Sequence, residues 1–258
     1  MLKLLQIEWM KLKHYRAFKI FGILYLTGVV GALFVTNFIY TKQTPDTIRQ
    51  MIKNPFEYPT LWATTGWLNS WLLFFPGWII INHCVNEFNF KTHRQNVIDG
   101  WSREQFITSK LLLIFAFATV ITIVNIISAI SLGALVGADF SFEGFYYIGF
   151  VFVQSLVYIF FAFTLAILLR RSGLAAGIFF LFGLIFEFLI AQLLNYPAHM
   201  APVGFFFPLQ VSDQLLPIPF LGKLEKDVPG NTSLLIGCFI YCVLYIWIAF
   251  RKFKHDDL

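Results

Sequence analysis

Long apolar runs separated by short polar breaks occupy most of the chain. Within them, hydrophobic residues follow one another without the every-second-residue alternation of a half-buried strand. An α-helix needs about 20 such residues to cross a hydrocarbon core about 30 Å thick. Six runs are predicted to do so: Ala17–Tyr40, Thr60–Val85, Phe106–Val136, Gly144–Leu169, Ser172–Asn195 and Leu234–Phe250. Barrel strands with a polar lumen would alternate, so helices are predicted. The predicted fold class is all-α: a polytopic membrane protein with six transmembrane helices, forming one domain over residues 1–258.

The polar breaks carry more information than the spans. The hinge from Glu87 to Lys110 reads as a short helix, a turn and a restart. Thr92 with Gln95, and Ser102 with Gln105, have capping-box spacing, in which side chains satisfy the free N–H groups of a helix start. Asp99-Gly100 stops the first helix, since glycine accepts the left-handed closing conformation. Trp101 and Phe106 flank the second cap as a hydrophobic staple. An ordinary polar loop with good caps fits the same pattern.

Residues 1–16 place Leu2, Leu5, Trp9 and Leu12 at helical spacing with lysines off that line, predicting an amphipathic helix along the membrane interface. A plain cationic flank is the simpler alternative. Glu8 and the cations argue against a cleaved signal peptide. Residues 196–233 are proline-rich yet apolar, with Phe205, Phe206, Phe207, Leu215, Leu216 and Phe220 demanding burial. Short re-entrant helices satisfy both properties, because the prolines prevent a continuous span. Pro76-Gly77 predicts a kink in the second span.

Composition agrees with a membrane setting: 58% of residues are hydrophobic and 13% charged, against about a quarter charged in soluble domains. Charge placement sets the orientation. Of 19 Lys and Arg, five (Lys42, Arg49, Lys53, Lys223, Lys226) fall on one side of the six-span arrangement, leaving 14 on the other. The cation-rich side faces the cytoplasm by the positive-inside rule, so both termini are expected there. The net charge of +5 then reports topology and anionic lipid, and no aromatic-basic groove suggests nucleic acid.

Within the spans, Asn69, Asn125, Gln154 and Glu187 fall at similar depth in the outer half and could form one polar layer. Such a layer would be a translocation path or proton-linked site, or else interhelical hydrogen bonding. Gly173 with Gly177, and Gly28 with Ala32, have the spacing that lets helices approach closely. Cys84, Cys238 and Cys242 read as buried hydrophobes, and His83 beside Cys84 is too little for a metal site.

The order of parts, with an interfacial helix, six spans, a hinge between spans two and three and a re-entrant segment before span six, resembles the membrane subunit of type 2 ABC exporters. The local match is Glu87 ending span two, Thr92 leading a helix, Ser102-Arg103 at the turn and Lys110 opening span three. Lys91 stands where that family often has glycine, and Gly100-Trp101 where it often has proline.

The resemblance implies that the hinge is a coupling helix docking into a cytoplasmic ATPase. Thr92, His93, Arg94, Val97, Ile98 and Trp101 would make contact, and Glu87 and Arg103 would orient the hinge. The chain has no phosphate-cradling G-x-x-x-x-G-K-[ST] loop; the fragment Gly222-Lys223-Leu224 lacks the earlier glycine and the hydroxyl. ATP and Mg²⁺ are therefore expected on a separate subunit, with no catalytic residue, metal or cofactor here. A second permease copy or a homologous permease is the other expected partner, in a bacterial inner membrane. A proton-coupled secondary transporter using Glu187, or a non-transporting scaffold, stand as alternatives.

Overall fold

In hydrocarbon a backbone must satisfy its own donors and acceptors, and the apolar runs do so as helices. The computed structural model describes residues 2–51, 54–92, 102–198, 200–219 and 228–255. The helices are α1 (Leu2–Lys13), α2 (Arg16–Phe38), α3 (Asp46–Met51), α4 (Thr60–Ser70), α5 (Phe74–Asn89), α6 (Arg103–Val136), α7 (Tyr146–Leu169), α8 (Ser172–Leu181), α9 (Glu187–Asn195), α10 (Gln210–Asp213) and α11 (Asn231–His255). Five continuous helical stretches are long and apolar enough to cross a membrane: Arg16–Gln43, Glu104–Val136, Tyr146–Leu169, Ser172–Asn195 and Asn231–Phe253. With α4 and α5 taken as one broken span there are six. The protein is therefore an all-helical, multi-pass integral membrane protein.

Helix α7 is the centre of the bundle, packing against α4, α5, α6, α8 and α11. Its Val157, Ile159, Ala162 and Ala166 are fully buried. Helices α2 and α11 lie at the periphery, presenting Ile23, Phe34, Phe239 and Ile240 outward. In a membrane such faces meet lipid and need no protein partner. Helix α6, at 34 residues, is about 50 Å long by its rise per residue. It therefore extends well beyond a hydrocarbon core.

The second span departs from the predicted kink at Pro76-Gly77. It breaks earlier, at residues 71–73, where α4 and α5 meet at 42°. Proline has no N–H to give and clashes with the carbonyl four residues back, which is that of Leu72. The helix thus ends before Leu72 and restarts with Pro76 inside its first turn. Gly77 serves a different purpose. A Cβ there would lie 2.4 Å from the Phe179 ring, so glycine lets α8 approach α5 closely.

The fifth span is interrupted as well. Between α8 and α9 the residues Phe182–Phe186 form a π-helical turn, and a Cβ on Gly183 within it would lie 2.9 Å from Leu209 and 3.0 Å from Phe74. By contrast, a Cβ on Gly173 or Gly177 would meet nothing within 4 Å, so that predicted close-packing pair has no partner among the described residues. Gly28 does pack, against Leu72.

The segment after α9 folds back onto the bundle as expected for its apolar residues. Phe205, Leu215 and Leu216 are buried, Phe206 and Phe207 are half-buried, and Phe220 lies outside the described residues. The segment contains a 3₁₀ turn, Val203–Phe206, and the short α10. Tyr241 of α11 ties it down by donating to the Phe206 carbonyl at 2.8 Å.

Gly77→Val should overpack this contact and cost about 1–3 kcal/mol, seen as a lower thermal midpoint in detergent. Adding Phe179→Leu should return part of the loss. A double variant no more stable than Gly77→Val alone would mean the ring is not what glycine accommodates.

Candidate functional site

At the end of the bundle that carries the N-terminus, charged side chains from α1, α5 and α6 converge in a buried cluster. Lys110 is at its centre, only 1% exposed. Its Nζ donates to Glu8 Oε2 at 2.6 Å and lies 2.7 Å from Glu87 Oε2. Lys11 closes the other side, donating to Glu87 Oε1 at 2.8 Å and lying 3.6 Å from Glu8 Oε1. Ser109 adds a hydroxyl donor to Glu8 Oε1 at 3.0 Å.

His83 Nε2 is 2.6 Å from Glu8 Oε2 and 3.1 Å from Lys110 Nζ. With Glu8 ionised, that nitrogen must carry the proton it donates. The approach of the ammonium is then a close contact, not a second hydrogen bond. Two carboxylates, two ammoniums and a neutral imidazole give a cluster of zero net charge. That balance lets charged groups sit in an apolar core, where an unpaired ion would be costly.

Burial pushes the Glu8 carboxyl up. The Lys110 ammonium, the His83 hydrogen bond and Lys11 outweigh it and hold the carboxyl well below the usual range. A depressed folded-state value means that this contribution is present above the ordinary carboxylate range and is lost only as pH falls through the folded value. The clamp on α1 through Glu8 therefore fails only in strong acid.

Glu8, His83 and Glu87 also bring one oxygen or nitrogen each within 4.8 Å of one another, a spacing that could hold a metal ion. The Lys110 ammonium sits against all three and supplies the positive charge that a metal would bring. The donor set fits an ion cluster better than a metal centre.

The same end organises both roots of the polar hinge. Helix α5 ends at Asn89, and Lys91 turns into the left-handed region with φ 55°. Thr92 Oγ1 donates to the Glu87 carbonyl at 3.3 Å. On the far side, Ser102 and Gln105 form the predicted capping box, with bonds of 3.1 and 2.9 Å, and Arg103 begins α6. Phe106 then stacks on Phe253 of α11 at 4.7 Å, and Arg170 lies over the Phe88 ring. His93, Arg94, Val97, Ile98 and Trp101, and the Gln95 of the first predicted capping box, lie outside the described residues.

The predicted polar layer does not form as one network. Asn69 accepts from Tyr25 at 2.6 Å, Asn125 accepts a long 3.4 Å contact from Thr65, and Gln154 donates to Asp213 at 2.8 Å. Glu187 Oε1 accepts the backbone N–H groups of Leu209 and Gln210 at 2.6 and 3.1 Å, capping the start of α10. All four are buried; Asn69 is fastened to α2, Asn125 to α4, and Gln154 and Glu187 both to α10. Glu187 therefore holds the returning segment onto the fifth span.

Two residues with no predicted role belong to these constellations. Glu8 sits at the i+3 position of the Leu5–Leu12 stripe, and its place on the buried face was readable from that spacing. Trp9, expected on the stripe, is instead exposed, with its ring edge-on to Phe18. Asp213, on the short α10 outside the spans, receives Gln154 and, at 3.0 Å to each oxygen, the Tyr158 hydroxyl. Burial pushes its carboxyl up to about 6, with those two hydrogen bonds pulling the other way.

Compared with known families, residues 23–258 match the model described as "Protein of unknown function (DUF2705)". Among curated proteins nothing matches.

Lys110→Met should leave Glu8 and Glu87 sharing only the half-exposed Lys11 ammonium, one buried charge uncompensated, at a cost of about 3–5 kcal/mol. Thermal melting in detergent and protease sensitivity of α1 would read the loss. Adding Glu8→Gln should recover part of it by removing one of the stranded charges. A Lys110→Met protein that melts like the wild type would rule out the cluster as the clamp on α1.

Proposed function

The chain belongs to the DUF2705 family, and for this member we propose the role of membrane subunit of an ATP-driven exporter of the type 2 ABC kind. In this reading it is the permease, coupled to a separate cytoplasmic ATPase that binds ATP and Mg²⁺. It has six transmembrane spans, counting α4 and α5 as one, in a bacterial inner membrane with both termini in the cytoplasm. Helix α1 lies along the inner interface, the 87–105 segment is the coupling element, and 196–233 is re-entrant from the outer side. A second permease copy or a homologous permease completes the transporter.

The observation that carries this reading is the ion cluster at the roots of the hinge. Glu87 in the last turns of α5 and Lys110 in the second turn of α6 are the hinge's two ends, and they meet at 2.7 Å. Glu8 locks α1 onto the same pair. A force applied to the hinge therefore acts on three helices held together and cannot be absorbed by spreading its ends. A coupling element needs this, because only a rigid connection converts a change at the ATPase into a change at distant helices. The ATPase must also contact the hinge differently in its two states, since equal contact shifts no equilibrium.

Two further features favour the reading. Lys91 takes the left-handed conformation at the position where the resembled family often has glycine. Helix α6, about 50 Å long, offers an unbroken lever from the hinge across the membrane. The proton-coupled alternative is disfavoured because Glu187 Oε1 is committed to capping α10.

Purification of the tagged full chain from its native membrane in mild detergent should bring down an ATP-binding subunit, and ATP should change transport by the reconstituted pair. Ile98→Asp should reduce ATP-dependent transport by about tenfold while the thermal midpoint stays within a few degrees of the wild type. Absence of any ATPase from the purified complex, together with transport indifferent to ATP, would sink the assignment.

A further inference from the structure

Far from α1, where the broken second span faces the fifth, the structure encloses a cavity of about 400 Å³. Its walls come from five places in the chain: the α4–α5 break, α7, the π-helical turn with the start of α9, the segment 210–218, and Val228. Volumes of about 300–1,000 Å³, apolar walls and a few convergent polar groups are the usual properties of small-molecule sites. None of Asn69, Asn125, Gln154 and Glu187 lines it.

The lining is chemically one-sided. Trp67, Trp71, Phe74, Tyr158 and Phe188 supply aromatic faces, and Asp213 supplies a carboxylate. Asp213 as a residue is half-buried and lines the cavity wall. Its partners, Gln154 and the Tyr158 hydroxyl, are neutral donors that orient the negative charge without cancelling it. Glu187, between the wall residues Leu184 and Phe188 along the chain, places a second carboxyl in the same neighbourhood without lining the cavity.

Among the described residues, neither Asp213 nor Glu187 forms a salt bridge with a lysine, arginine or histidine. The contrast with the N-terminal end, where every buried carboxylate has its ammonium, is sharp. Aromatic faces attract cations through the ring quadrupole, most strongly for tryptophan. A carboxylate in an apolar cavity attracts them more strongly still, because little water screens the charge.

We propose that this cavity is a binding site for an organic cation with an apolar or aromatic body, its charge seated against Asp213 and its body against Trp67, Trp71 and Phe74. Trp71 and Phe188 are exposed at the rim, so an amphiphile can enter along an apolar edge without dragging its body through water. The cation supplies a countercharge that no salt bridge among the described residues gives Asp213, and a neutral ligand of the same shape does not. Capture here requires no ATPase and stands apart from the coupling reading.

Equilibrium dialysis of labelled benzyltrimethylammonium against the full chain in phosphatidylcholine nanodiscs at neutral pH tests this directly. Saturable binding is expected, weakened at least about tenfold by Asp213→Asn and about two- to fivefold by Trp71→Leu. Neopentylbenzene, the neutral carbon isostere, should compete poorly. Because Asp213→Asn also changes the contacts of Gln154 and Tyr158, its thermal midpoint is measured alongside. Trp71→Leu, at the exposed rim, and the neutral competitor decide the question if that variant fails to fold. No saturable binding by the wild type, equal competition by neopentylbenzene, or an affinity unaltered by Trp71→Leu would overturn the proposal.

Discussion

A single buried ammonium, that of Lys110, organises the N-terminal end of this bundle. Taking it out of water is costly, and only opposing carboxylates in direct contact can offset the cost. Those carboxylates come from two other helices, Glu8 on α1 and Glu87 on α5. The need to neutralise one charge therefore fixes the mutual position of three elements. Greasy faces alone could not do this, because hydrophobic contact has no direction, and in lipid a helix gains little by exchanging acyl chains for leucines. Charge pairing supplies the registration that apolar packing leaves loose.

The two ends of the molecule treat acidic groups in opposite ways. Near α1, each buried carboxylate is matched by an ammonium. At the far end, Glu187 spends its oxygen on the backbone of α10, while Asp213 is held by an amide and a phenol. The first arrangement is self-contained and resists change. The second leaves Asp213 beside an open, aromatic cavity with no salt bridge among the described residues. A structure saturated at one end and unsaturated at the other has its adaptable chemistry where the second and fifth spans are broken.

Much of this architecture was legible in the order of residues. Long apolar runs gave the spans, because hydrophobic length is a local property, and Ser102 with Gln105 gave the start of α6, because a cap involves only neighbours. The break in the second span was harder to place. Pro76 marks it, yet the missing hydrogen bond and the clash act a turn upstream, so the helix yields at 71–73. What depends on contacts between distant segments could not be read. Glu87 and Lys110 stood out individually, but Glu8, roughly a hundred positions from Lys110, served only to argue against a cleaved signal peptide. The polar layer failed for the same reason: equal depth along a helix says nothing about which way a side chain turns. Asn69, Gln154 and Glu187 each turned to a different partner.

Helix α5 contributes a side chain to both sites. Its first residue, Phe74, lines the far cavity, and Glu87, two residues from its end, sits in the ion cluster. Over its 16 residues, about 24 Å at the usual rise, the helix is unbroken, with Pro76 confined to the first turn. Between the two sites Gly77 presses against Phe179 more closely than any side chain would allow. Helix α5 also packs along α2 and α7, so the cavity wall and the ion cluster hang on one continuous element seated in the bundle. The break at 71–73 lets α4 run in a different direction from that element.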